Sequence, residues 1–130
     1  MLDNNTVQQA WIDHLQADAS VLALSTGTFP TEIREQNYQG EKFVYPNIRV
    51  MCEVTGGECI DDAFTVLSCF SEQKSSKEAQ AIAGTIATGL HNKSFTQNGI
   101  RISAIRAKTL RAVQENGVWK ADVQINSKAI

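Results

Sequence analysis

The order of apolar and polar positions predicts two helical regions and several strands. From Ser75 to Asn92 (SSKEAQAIAGTIATGLHN), Ala79, Ile82, Ala83, Ile86 and Leu90 recur at helical spacing and form one apolar stripe. Ser75 and Glu78 have the form of a capping box, in which the hydroxyl accepts from an orphan backbone N–H and the carboxylate reaches back. His91 and Lys93 put positive charge at the opposite end, where the helix dipole favours it. Beside the apolar stripe runs a second one of small residues, Ala81, Gly84, Thr85 and Thr88. A mid-helix glycine costs about 1 kcal/mol relative to alanine, and such a stripe lets another backbone come close. The first helix of the same chain is the expected neighbour, a second subunit the alternative.

Near the start, Asn5 with Gln8 and Thr6 with Gln9 are alternative cap signals. Val7, Ala10, Trp11 and Leu15 then form an apolar stripe. This helix, or a short second one, continues through Val21, Leu22 and Leu24, and Gly27 is placed to end it in a left-handed cap. A short strand is expected between Phe29 and Arg34, and a long polar loop from Glu35 to Tyr45. The residue before Pro46 is held extended. Ile48, Val50, Cys52 and Val54 alternate with Arg49, Met51 and Glu53, as in a half-buried strand. Thr55-Gly56-Gly57-Glu58 reads as a hairpin tip. In the next strand, Ala63 to Ser71, one face carries Phe64, Val66, Ser68 and Phe70. The other (Thr65, Leu67, Cys69) is only partly polar, which predicts a central strand. Phe95 is expected to fold back onto the core. Ile100 to Val113 reads as one long strand with a bulge where the alternation slips between Ile102 and Ile105. Glu115-Asn116-Gly117 is a turn, and Trp119, Ala121, Val123 and Ile125 alternate in the last strand. The fold class that follows is α+β: an antiparallel sheet of about four to five strands with two helices packed on one side, in one domain spanning 1–130.

Composition narrows the classes. At 130 residues, 42% hydrophobic and 20% charged, the chain is globular. A formal charge of −2 does not point to nucleic acid as the main partner. Three cysteines, Cys52, Cys59 and Cys69, with no CxxC pair, read as reduced thiols of a cytosolic protein and not as a disulfide or zinc framework. The opening MLDNNTVQQAW lacks the basic and apolar regions of a signal peptide, and no apolar run reaches the roughly 20 residues of a membrane span.

Candidate chemistry is sparse. His14 and Asp18 share a helix face, as an oriented base or a metal ligand would, but no nucleophile motif accompanies them; a surface pair is the ordinary reading. Glu53, Glu58, Asp61 and Asp62 lack EF-hand spacing and read as a solvated acidic turn. Cys59 lies in the acidic GGECIDD, the opposite of what stabilises a thiolate. Gly56-Gly57 has no phosphate-loop context. Arg101, Arg106, Lys108 and Arg111, near Trp119 of the partner strand, could suit nucleic acid. They alternate so as not to share one face, which favours a solvated surface or a subunit contact. No catalytic, cofactor or metal site is expected.

The order of elements resembles the tail-terminator, or tail-completion, proteins of long-tailed bacteriophages. The resemblance runs from Trp11 to Ile125 through NIRVMCEV, FTVLSCFSE, the helix pattern EAxxIAxxIxxxLHN, and a hairpin broken at ENG and ending VWKADVQI. It implies a non-enzymatic virion protein, assembled in the host cytoplasm. Copies would form a ring, usually a hexamer, that ends tail-tube polymerisation. Its partners would be other copies, the tail tube protein and the head–tail connector protein. DNA would pass the lumen without specific binding, and no cofactor or membrane would take part. Candidate contacts are Glu41 and Lys42 in the polar loop, Thr55, Glu58, Asp61 and Asp62 at the tip, and Arg101, Arg106 and Arg111. The competing readings are a connector adaptor, a small cytosolic enzyme using His14 with Asp18 or Cys59, and a module that binds a peptide on its sheet edge.

Overall fold

The computed structural model describes residues 1–24, the backbone of 28–30, and 45–130. The Gly27 cap, the strand expected beyond Pro30, and the polar loop with Glu41 and Lys42 lie outside them. Helix α1 is Asn4–Gln16 and α2 is Ala19–Leu22. The strands are β1 Thr28–Pro30, β2 Asn47–Thr55, β3 Asp61–Ser71, β4 Phe95–Gln97, β5 Ile100–Thr109, β6 Val113–Glu115 and β7 Val118–Ala129, with helix α3, Lys77–Leu90, between β3 and β4. They form one sheet ordered β1-β2-β3-β7-β5-β4, with β6 also pairing β7. All pairings are antiparallel except β1 with β2. This is the α+β architecture read from the sequence. β1 overlaps the start of the short strand expected from Phe29, and the added strands, β4 and β6, are three residues each, too short to show a periodicity.

The core lies between one sheet face and the helices. Ile48, Val50 and Cys52 of β2, Leu67 and Cys69 of β3, Ile102 and Ile105 of β5, and Val123 and Ile125 of β7 meet Val7, Trp11 and Leu15 of α1 and Ile82, Ala83 and Ile86 of α3, all buried. Trp11 is fully buried and meets Phe95 edge-to-face, centroids 5.0 Å apart; Phe95 does fold back onto the core. β3 is central, between β2 and β7. Its inward face is Ala63, Thr65, Leu67, Cys69 and Ser71, while Phe64, Val66 and Phe70 face outward, half-buried.

Several local expectations are corrected. The cap of α1 is Asp3, whose carboxylate accepts from the Thr6 backbone N–H at 2.8 Å and its hydroxyl at 2.7 Å. Half of the expected capping box starts α3: Ser75 Oγ accepts from the Lys77 backbone N–H (3.4 Å), while the N-cap Ser76 makes no side-chain cap bond. Glu78 instead accepts from Ser71 Oγ (2.8 Å) and Gln73 Nε2 (3.1 Å), tying the helix to β3. The small-residue stripe of α3 is not packed on α1: a Cβ built on Gly84 meets nothing within 4 Å, and Ala81 and Thr88 are exposed. The long strand expected from Ile100 to Val113 is broken between β5 and β6, where the Leu110 N–H donates to the Asp122 carbonyl. The other turns hold. Asn116 and Gly117 both take positive φ, 52° and 78°, as a tight hairpin turn needs. At the tip, a Cβ on Gly57 would stand 2.0 Å from the Ile60 carbonyl oxygen, which only glycine avoids.

Two exposed stretches of sheet edge are closed from within the chain, mostly by side chains. At β2, the N–H groups of Cys52 and Val54 donate to Gln8 Oε1 (3.2 Å) and Asn4 Oδ1 (2.8 Å) of α1. At β5, the Ala107 N–H donates to His91 Nδ1 (3.0 Å) and the Ile105 carbonyl accepts from the Asn92 N–H (2.9 Å). His91 thus ties the end of α3 to β5 by accepting a backbone N–H at Nδ1.

Candidate interaction surface

The sheet face opposite the helices is open to solvent, and the β5 bulge decides what it carries. Two residues of β5, Ala104 and Ile105, stand opposite Ser127 alone: Ser103 pairs with Lys128 and Arg106 with Asn126. Ala104 absorbs the extra residue by taking φ 51°. Without the bulge, strict alternation would turn Ile105 out and Arg106 in. With it, Ile105 is buried and Arg101, Arg106 and Lys108 fall on one exposed face. The sequence predicted the bulge but not this consequence. Arg111 lies beyond the strand, exposed, and Trp119 is turned toward the helix side, its indole N–H directed to the Lys74 carbonyl at 3.4 Å. The basic residues are thus not interleaved with Trp119.

Their neighbours on this outer face are Phe64, Val66 and Phe70 of β3 and Met51 of β2, the last 42% exposed. Arg49 lies 4.0 Å over the Phe70 ring. Six cations, the three on β5 with Arg49, Lys120 and Lys128, share the face with four carboxylates, Glu53, Asp62, Glu115 and Asp122. Two carboxylates are engaged by this same surface: Asp62 by Lys128, and Asp122 by Lys120 at 3.6 Å. The three β5 cations form no ion pair within 4.0 Å among the described residues. At one end, Thr55, Asp62, Phe64, Ala104, Arg106, Asn126 and Lys128 line a shallow groove of about 520 Å3. Three of the candidate contacts, Thr55, Asp62 and Arg106, thus meet in one place. Glu58 is exposed on the tip beside it. Asp61 is turned inward, where its carboxylate accepts from the Leu2 N–H (2.7 Å) and the Gly57 N–H (3.4 Å); the Leu2 bond foremost holds its pKa below the ordinary carboxylate value.

The side chains of the α1–α2 segment have the opposite charge. Residues 1–24 contain Asp3, Asp13 and Asp18 and no lysine or arginine. Leu22 and Leu24 are 51% and 36% exposed on that segment.

The other candidate chemistry is used structurally. His14 stacks flat on Phe95, centroids 3.7 Å apart, and burial lowers its pKa against the opposing charge of Asp18. The Asp18 carboxylate itself caps α2 by accepting from the Ser20 N–H at 2.9 Å. Cys52 and Cys69 are buried and Cys59 exposed, all as free thiols; burial raises the pKa of both buried thiols. Among the described residues no three of His, Cys, Asp or Glu group as metal ligands, and no helix is long and apolar enough to cross a membrane.

No family model and no curated protein sequence matches the chain. Solved structures do. One is a chain from the virion of a native gene transfer agent particle, with a TM-score of 0.62 and 19% identity, covering 94% of this chain and 92% of that one. Another, whose name carries no functional description, has a TM-score of 0.57 and 10% identity, covering 95% and 90%. At these identities the likeness establishes a shared fold over nearly the whole length of both chains.

Proposed function

We propose that this protein is a structural component of a phage-like virion, a tail terminator that assembles as a ring at the head-proximal end of a tail. The observation that carries the reading is the end-to-end fold match to a chain of a gene transfer agent virion. The tail-terminator pattern in the sequence supports it independently. The ring, taken as a hexamer, stops tube growth and presents a surface to the head–tail connector, and DNA passes through its lumen. The work is done by surfaces, with no catalytic step and no cofactor. A closed ring needs a heterologous contact, in which two different patches of each copy meet.

The test is electron microscopy of the purified protein mixed with tail tubes, beside mass photometry of the protein alone across concentration. Rings, or caps restricted to one tube end, are expected. A protein that neither self-associates nor binds tubes would overturn the proposal.

A further inference from the structure

We infer that the outer sheet face receives the α1–α2 surface of a second copy, so that these two patches form the subunit contact. The inference rests on the ring reading and adds which surfaces meet. It follows from how charge and apolar area are divided within one chain. Among the described residues the sheet face carries an excess of two positive charges, and the cations without an ion pair are concentrated on β5 as Arg101, Arg106 and Lys108. Residues 1–24 carry three aspartates and neither lysine nor arginine. Each surface also exposes apolar side chains: Met51, Phe64 and Val66 on the sheet, Leu22 and Leu24 beside α2. Arginine, aromatic and methionine side chains are the residues that protein interfaces favour.

A two-fold contact of the sheet face with itself would set like charges opposite one another, which is costly. Head-to-tail contact sets unlike charges and apolar patches together and leaves both surfaces available on every further copy, as ring closure needs. Nucleic acid suits the face less well, because Glu53, Asp62 and Asp122 are dispersed through it. Strand addition at the β2 and β5 edges is obstructed where Gln8, Asn4, His91 and Asn92 already occupy their hydrogen-bonding groups.

Two variants test the contact. Arg106→Glu with Lys108→Glu inverts the sheet patch. Asp3→Asn and Asp18→Asn, which keep a capping side chain at both helix starts, combined with Ala19→Lys and Leu22→Lys at exposed positions on α2, turn the three negative charges of the helix patch into one positive. Each alone is expected to weaken self-association by at least about tenfold, read by mass photometry and on tail tubes, with an unchanged melting temperature. An equimolar mixture is expected to recover assembly, because the negative face of one variant meets the positive helix surface of the other. Variants that each assemble like the unmodified protein overturn the inference and leave the ring reading standing. So does a mixture that stays dissociated, and so does an inverted face that keeps rings but loses a tube, connector or DNA interaction. An unmodified protein that assembles under neither condition overturns the ring reading itself.

Discussion

Replacing Ala104 by glycine is expected to stabilise this protein. Ala104 is exposed and holds φ 51° at the β5 bulge. The left-handed conformation costs an L-residue roughly 1–2 kcal/mol. Glycine removes that cost, but its freer unfolded chain takes back roughly 0.4–1 kcal/mol. The net gain is about 0.5–1 kcal/mol. With an unfolding entropy of about 2.1 cal/mol/K per residue over 130 residues, it raises Tm by about 2–4 °C. Reversible urea and thermal unfolding of Ala104→Gly and Ala104→Val, followed by circular dichroism, would read the effect. The valine variant is the control with the opposite sign, since a β-branched side chain tolerates positive φ least. A glycine variant whose midpoint is unchanged or lower would refute the account of strain at the bulge. It would also remove the reason for regarding the residue as held there by its surroundings.

Other outcomes follow from single contacts. His14 has a lowered folded pKa, so the unfolded chain takes up its proton first as pH falls. Its contribution to stability is complete above about pH 6.5 and declines below it; denaturation midpoints between pH 7.5 and 5.5 should fall less steeply in His14→Phe than in the unmodified protein. A thiol reagent should titrate one cysteine, Cys59, in the native state, and Cys52 and Cys69 only after denaturation; three fast-reacting thiols would contradict the packing. Asn4→Ala and Gln8→Ala should each cost about 0.5–1.5 kcal/mol in urea unfolding. The double variant should also show concentration-dependent association in light scattering, because it bares the β2 edge.

The sequence showed the fold class because long elements announce their period: the stripe of α3 and the alternation of β2 and β7 are buried as their spacing required. β3 was legible as central. Its two faces were not ranked, because the face bearing Phe64, Val66 and Phe70 is the more hydrophobic one and yet points outward. Local caps failed where a competing partner was present. Asp3 precedes both signals expected at α1, and Glu78 is claimed by Ser71, seven residues back, instead of by its own helix. The edge bonds of Gln8 and Asn4 join residues 44 and 50 apart, beyond any local pattern. The basic patch is an intermediate case: all its residues stand out in the sequence, but gathering Arg101, Arg106 and Lys108 on one face depends on the single extra residue at Ala104 and its effect on the register.

The closed stretches of sheet edge bear on how association of this protein is kept within bounds. Bare strand edges polymerise without limit, because each added strand offers the next one a fresh edge. Here the N–H groups of residues 52, 54 and 107 and the carbonyl of residue 105 are occupied from within the chain. Growth in the plane of the sheet is thereby discouraged, and association is left to side-chain surfaces, whose shape and charge can count copies and stop.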